Sequence, residues 1–281
     1  MQYLELGPRP LIFSQHNIVL SFSPKSACSH VIVWFLLKEG LLGAANYYHE
    51  WPHAFRTDVY YHTRVYKARA QKLIKSEGQG FTLIRVTRDP AKRLVSCYRH
   101  ACRWNLIDHL VRRKVGIKPA EDGMSMMDYY TALRGEDLML PSKVDVHACA
   151  QTHPVWKVGF DRIITLNVDE THLNPGLHAI EAELGLGHTH FDRHPKFDAL
   201  RETHYATDTP HTGPEPVEAL RIRRKQTGRF PKKQLEALPL VQQMTAELHG
   251  ADLGHVQSGD SQGVLFQPGA ATMKPAAARV S

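Results

Sequence analysis

Two short apolar runs, Ile18–Phe22 and Phe81–Thr87, each end at a tight polar segment that opens a helical stretch. Such short runs of Val, Ile, Leu and Phe suit strands buried on both faces. Strand followed by helix, repeated, builds a parallel sheet with helices packed on its faces. The first run stops at Pro24, and the helix after it is expected to start with Ser29 as its cap, to run to about Lys38 and to stop at Gly40 or Gly43. The second leads into Asp89, a strong cap, and Pro90 at the first helical position. This second helix is expected to run past Trp104. Ile163–Leu166 reads as a third strand, followed by a helix from Glu170 or Pro175 to Leu184. The expected class is therefore α/β, with ligands bound at the carboxyl ends of the parallel strands, where both polar segments lie.

Between these units the chain is less regular. Residues 45–66 are rich in Tyr, His and Trp and read as loops with short helical turns. Lys67–Lys75 and Ser125–Leu133 read as helices, residues 77–80 as a turn, and residues 116–123 as a loop. His188–Pro216 reads as a long irregular excursion and Lys232–Leu248 as a last amphipathic helix. Gly, Ser, Gln, Ala and Pro dominate beyond Gly254. The expected organisation is one domain over residues 1–253 and a disordered tail over 254–281.

A formal charge of +7 and a pI near 9.2 point to an anionic partner. Cys28, Cys97, Cys102 and Cys149 have no metal-site spacing and read as reduced thiols. The start of the chain has no basic-then-apolar leader, and its longest apolar run, around Val31–Leu37, is too short to span a bilayer. The expectation is a cytoplasmic protein without a transmembrane segment.

The first polar segment is Ser23-Pro24-Lys25-Ser26-Ala27-Cys28-Ser29. A strand, a tight turn and a helix start gather several backbone N–H groups around one point and so bind phosphate. Lys25 adds a positive charge, and Ser26 and Ser29 add hydroxyls. A Walker loop needs glycines and a later lysine, and this segment has no glycine. The second segment is Arg88-Asp89-Pro90-Ala91-Lys92-Arg93-Leu94-Val95-Ser96. Helical spacing puts Arg93, Ser96, Arg99 or His100, and Arg103 on one face, and Arg88 can fold back to it.

Together the two segments resemble the phosphate grips of sulfotransferases that use 3'-phosphoadenosine 5'-phosphosulfate (PAPS), in the form found in the carbohydrate branch of Golgi and bacterial enzymes. Pro24–Ser29 resembles that branch's P-K-x-[GA]-[CS]-[ST], with Ala27 where glycine is usual, so the backbone there must stay in a region open to alanine. Arg88–Arg99 resembles R-D-P-x-x-R-L-x-S-x-Y-R. The resemblance implies a P-loop-like parallel sheet flanked by helices. It implies that Pro24, Lys25, Ser26, Ala27, Cys28 and Ser29 hold the 5'-phosphosulfate, with Lys25 on the oxygen between phosphate and sulfate. It also implies that Arg88 and Ser96 hold the 3'-phosphate. It runs from about residue 18 to 185 and includes Asp145–Gln151, similar to an H-x-x-x-Q stretch, and Phe160–Ile164, similar to a Y-D-x-I strand. Arg223–Arg229 reads either as a basic loop closing over the nucleotide or as a solvated linker.

Sulfuryl transfer needs a base for the acceptor hydroxyl. Three candidates emerge: His62, which resembles a catalytic histidine of the uronyl 2-O-sulfotransferase group; Glu50; and His147, which alternatively binds substrate. His188, His190 and His194 resemble a metal cluster but lack a helical frame and a fourth ligand, and the reaction requires no metal. The expected activity is PAPS-dependent transfer to a hydroxyl of a carbohydrate or glycoconjugate, with no nucleic-acid partner. The competing readings are a kinase-like phosphotransferase and a non-enzymatic polyanion binder using the Arg93–Arg113 region.

Overall fold

The computed structural model describes residues 4, 7–169, 173–204, 207–255 and 264–268. Five strands form the central sheet: β1 (Leu11–Ile12), β2 (Ile18–Phe22), β3 (Thr82–Thr87), β4 (Arg162–Asn167) and, after a small separate pair β5 (Thr207–Asp208) and β6 (Arg229–Phe230), β7 (Val264–Pro268). Their order is β1-β2-β3-β4-β7. The three central strands are parallel, as the sequence suggests, but β1 and β7 pair antiparallel to their neighbours, so the sheet is mixed. Strand β7 lies within the stretch expected to be a disordered tail; residues 256–263 and 269–281 of that stretch lie outside the described residues.

The β2–β3 register places Phe22 opposite Val86, so the two strands end side by side. That alignment brings the two polar segments together at one edge of the sheet. The central strands are buried almost throughout, but one row is polar: Ser21, Arg85 and Thr165 face one another across β2, β3 and β4. Arg85 Nε donates to Thr165 Oγ1 at 2.6 Å, its guanidinium lies over Trp156, and Trp156 Nε1 donates to Ser21 Oγ at 2.8 Å.

Four helices separate β2 from β3: α1 (Cys28–Lys38), α2 (Leu42–Tyr48), α3 (Pro52–Asp58) and α4 (Arg64–Lys75). The stretch read as loops is thus mostly helical. Between β3 and β4 come α5 (Pro90–Arg103), α6 (Asp108–Val115), α7 (Pro119–Asp122) and α8 (Met126–Leu133). Asp89 caps α5 as expected, its Oδ1 accepting from Lys92 N at 2.8 Å, but the helix stops at Arg103 because Trp104 adopts an extended backbone. After β4 follow α9 (Leu173–Leu184), α10 (Pro195–His204), α11 (Lys232–Glu236) and α12 (Pro239–Leu253). Helix α10 replaces part of the excursion expected to be irregular. The single helix expected over Lys232–Leu248 is two, because Pro239 has no N–H to continue α11 and instead opens α12.

Two apolar clusters result. One joins the sheet to α1, α3, α4, α9 and α10, with Trp34, Phe13 and Phe35 at its centre. The other joins α5, α6, α8, α11 and α12 around Tyr98, Tyr129 and Phe230. A buried carboxylate ties α1 to α9: Glu181 accepts from Trp34 Nε1 at 2.7 Å and meets Lys38 Nζ at 2.8 Å. Burial raises the pKa of that carboxyl, but bonds from Lys38, Thr189 and Trp34 outweigh it and the net shift is downward.

Candidate functional site

The segment after β2 turns sharply at Pro24 and enters α1 through two residues in the left-handed region, Lys25 at φ 69° and Ala27 at φ 54°. The expectation that Ala27 keeps to a region open to alanine is overturned. A non-glycine residue held there costs about 1–2 kcal/mol, and such strain collects at functional sites. Ala27, not Ser29, is the residue before the helix, and no side chain caps it. Among the described residues the N–H groups of Ala27, Cys28 and Ser29 have no hydrogen-bond acceptor. A helix start with open N–H groups and a turn of this kind is an anion cradle. The loop is braced from within: Ser23 and Ser26 are buried and their hydroxyls meet at 2.9 Å, so Ser26 does not offer its side chain outward.

Lys25 sits at the centre of this cradle. Burial lowers its pKa; Arg99 and Arg88 lower it further, while the thiols of Cys28 and Cys97 oppose. Among the described residues no carboxylate lies within ion-pair distance of it. A desolvated ammonium without a partner is costly, and an anion in the loop would neutralise it.

The second segment clasps the first. Arg88 Nη1 donates to Lys25 O at 3.0 Å, and Arg93 Nε donates to Pro24 O at 3.1 Å. Arg93 is 1% exposed and its Nη2 also donates to Cys149 O at 2.7 Å, so it holds the loop from behind rather than facing a ligand. This corrects its place on a phosphate-facing helix surface. Arg88 stays half-buried at the edge, with Asp169 Oδ1 3.5 Å from its Nε. Gln151 fixes the Arg88 backbone: its Oε1 accepts from Arg88 N at 3.0 Å and its Nε2 donates to Arg88 O at 2.8 Å. Gln151 is itself held by Asp252, which accepts from its N–H at 2.9 Å. Ser96 is half-buried on α5, and among the described residues its hydroxyl has no hydrogen bond. Of the 3'-phosphate pair of the resemblance, Arg88 thus bonds the loop that carries Lys25, and Ser96 lies further along α5.

One turn beyond Ser96, His100 packs its ring 4.2 Å from that of His147. Burial and then the charge of Lys25 push the His100 pKa down to about 2, so the ring is neutral. His147 Nδ1 lies 2.7 Å from Asp145 Oδ1, a carboxylate that orients the imidazole. The other two candidate bases make no bond to this arrangement among the described residues. Glu50 is exposed at the α2–α3 turn, and His62 is exposed in a 3-10 turn; among the described residues neither side chain bonds to either segment. A histidine that the sequence did not single out does reach the cradle. His53, on α3, brings Nε2 to 2.9 Å from Ser29 Oγ and 3.8 Å from Cys28 Sγ. No spacing signal marks it, because it comes from a different helix.

Arg223–Arg229 packs on the same helix. Thr227 O accepts from Arg99 Nε at 3.0 Å, and Arg224 pairs with Asp108 at 2.6 Å. The metal-like histidines are arranged differently from the sequence reading. Among the described residues the group whose ligand atoms gather within 4.8 Å is His178, Glu181 and His188, and the Glu181 carboxylate is already taken by Trp34, Lys38 and Thr189. The four cysteines are free thiols. Among the described residues no helix is long and apolar enough to cross a membrane. Compared with known proteins, the chain finds no matching family model, no matching curated protein and no matching solved structure.

Proposed function

We propose that this protein is a PAPS-dependent sulfotransferase with a sulfotransferase-type P-loop-like fold, acting on a hydroxyl of a carbohydrate or glycoconjugate. The observation that carries the reading is the clasp itself. Two segments about sixty residues apart in sequence, each similar to one phosphate grip of that family, hydrogen-bond directly to each other around a half-buried lysine without a carboxylate partner among the described residues. In this reading the open N–H groups of Ala27, Cys28 and Ser29 hold the 5'-phosphosulfate. Lys25 neutralises charge growing on the phosphate as it leaves. Arg88 and Ser96 hold the 3'-phosphate, and Gln151 keeps Arg88 in place. The positive φ values at Lys25 and Ala27 do here what glycines do in a Walker loop, and the early position of the lysine is what favours this reading over a kinase-like one.

The test is thermal stabilisation by 3',5'-ADP compared with ADP and AMP. Selective stabilisation by the 3'-phosphorylated nucleotide, lost in Arg88→Ala, is expected. Equal shifts with AMP refute the reading. Binding that ignores nucleotide identity and falls steeply with salt would instead mark a polyanion binder.

A further inference from the structure

We propose that His53 is the catalytic base that takes the acceptor's proton; this rests on reading the site as a sulfuryl-transfer centre. The two histidines pack against different elements, His53 on the first turn of α1 and His147 on α5. His147 reaches the cradle through His100, on α5, the helix that carries Ser96. That is the side assigned to the 3'-phosphate. His53 reaches it at Ser29, in the first turn of α1, where the segment that holds the reacting group ends. A sulfuryl oxygen hydrogen-bonded to Ser29 Oγ would stand about 4–5 Å from His53 Nε2, and an acceptor hydroxyl fits between them at hydrogen-bond distance.

The surroundings of His53 suit an entering acceptor. The ring of Trp51 stacks on that of His53 at 4.8 Å and 23°, and Trp51 is 53% exposed. Tyr47, at 96% exposure, and Tyr48 stand on the neighbouring helix α2. The exposed Trp51 ring therefore lies directly beside this histidine. The Ser29 hydroxyl that meets Nε2 is the one that would turn to the phosphosulfate when the donor binds.

The step balances without a further reactant. The acceptor O–H proton passes to His53 Nε2, the oxygen forms a bond to sulfur, and the bond from sulfur to the phosphate oxygen breaks with its electron pair going to 3',5'-ADP. The imidazolium then returns its proton to water.

The experiment measures 3',5'-ADP release from PAPS with water as acceptor, beside the thermal shift caused by 3',5'-ADP. His53→Gln, which retains a polar group toward Ser29, and His53→Ala are both expected to keep the thermal shift. Both are expected to lose turnover by about 10²–10⁴-fold, the usual share of a positioned base. Added imidazole restores turnover in His53→Ala, which a merely structural role would not allow. A retained shift with unchanged turnover, or with turnover lost and not rescued by imidazole, overturns His53 while leaving the proposed function standing. No shift and no turnover in the unchanged protein overturns both.

Discussion

Replacing Lys25 by Met separates the cost of the cradle from its use. The ammonium is desolvated, has Arg88 and Arg99 as like-charged neighbours, and lacks a carboxylate partner among the described residues. Methionine has a similar length, keeps the packing of the stem and carries no charge; the positive φ at this position is equally costly for either residue. The empty protein is therefore expected to gain about 1–2 kcal/mol, in the range seen when a functional site is relieved of strain. For a chain of this size each kcal/mol moves the melting temperature by about 2–4 °C, so the rise is readable in a thermal scan and in the midpoint of a urea titration. With 3',5'-ADP present the order is reversed. Loss of one hydrogen bond to a charged group costs about 1.5–3 kcal/mol, so the variant binds about ten- to a hundredfold more weakly, and it turns over PAPS far more slowly still. A variant that is less stable than the parent without ligand refutes the claim that this lysine is held against its own desolvation.

Three other outcomes are expected. Arg93→Met removes the bonds to Pro24 and Cys149 and leaves buried Asp252 without its guanidinium neighbour, at a cost of about 3–5 kcal/mol in urea unfolding; a loss under about 1 kcal/mol contradicts its bracing role. His100 is neutral in the fold down to about pH 2 but protonates in the unfolded chain below 6.5, so stability falls as pH drops from 6.5. At pH 5 this amounts to about 2 kcal/mol, and a His100→Gln stability profile as steep as the parent's over that window rejects the assignment. Gln151→Leu frees the Arg88 backbone and is expected to weaken 3',5'-ADP binding about tenfold by calorimetry, through geometry alone; unchanged affinity removes its positioning role.

What could be read from sequence was what is locally encoded. The runs at Ile18–Phe22 and Phe81–Thr87 became β2 and β3 because buried strands declare themselves by composition, and Asp89-Pro90 opened α5 because a cap and a proline act on their own neighbours. Pro239 is a local signal of the same kind, and it divides the amphipathic stretch Lys232–Leu248 into α11 and α12. Other features depend on contacts between distant segments. The left-handed turn at Ala27 lies beside the carbonyls held by Arg88 and Arg93, and nothing about an alanine announces it. Arg93 looked like a ligand group by helical spacing, and only the carbonyls of Pro24 and Cys149 turn it inward. His53 is one histidine among the 18 in the chain, and its meeting with Ser29 depends on how α3 packs beside α1. Strand β7 lies in a stretch whose Gly and Ala content hides a short apolar run, Val264-Leu265-Phe266.

The placement of β7 bears on the order in which the protein is made. Strands β1 to β4 are complete once residue 167 has been synthesised, and the strand that covers β4 arrives about a hundred residues later. Until then the outer edge of β4, Arg162–Asn167, presents unpaired backbone donors and acceptors, and open edges of that kind invite pairing with other chains. A nascent chain stalled or truncated before β7 would expose this edge, so the C-terminal strand acts as the seal that closes it.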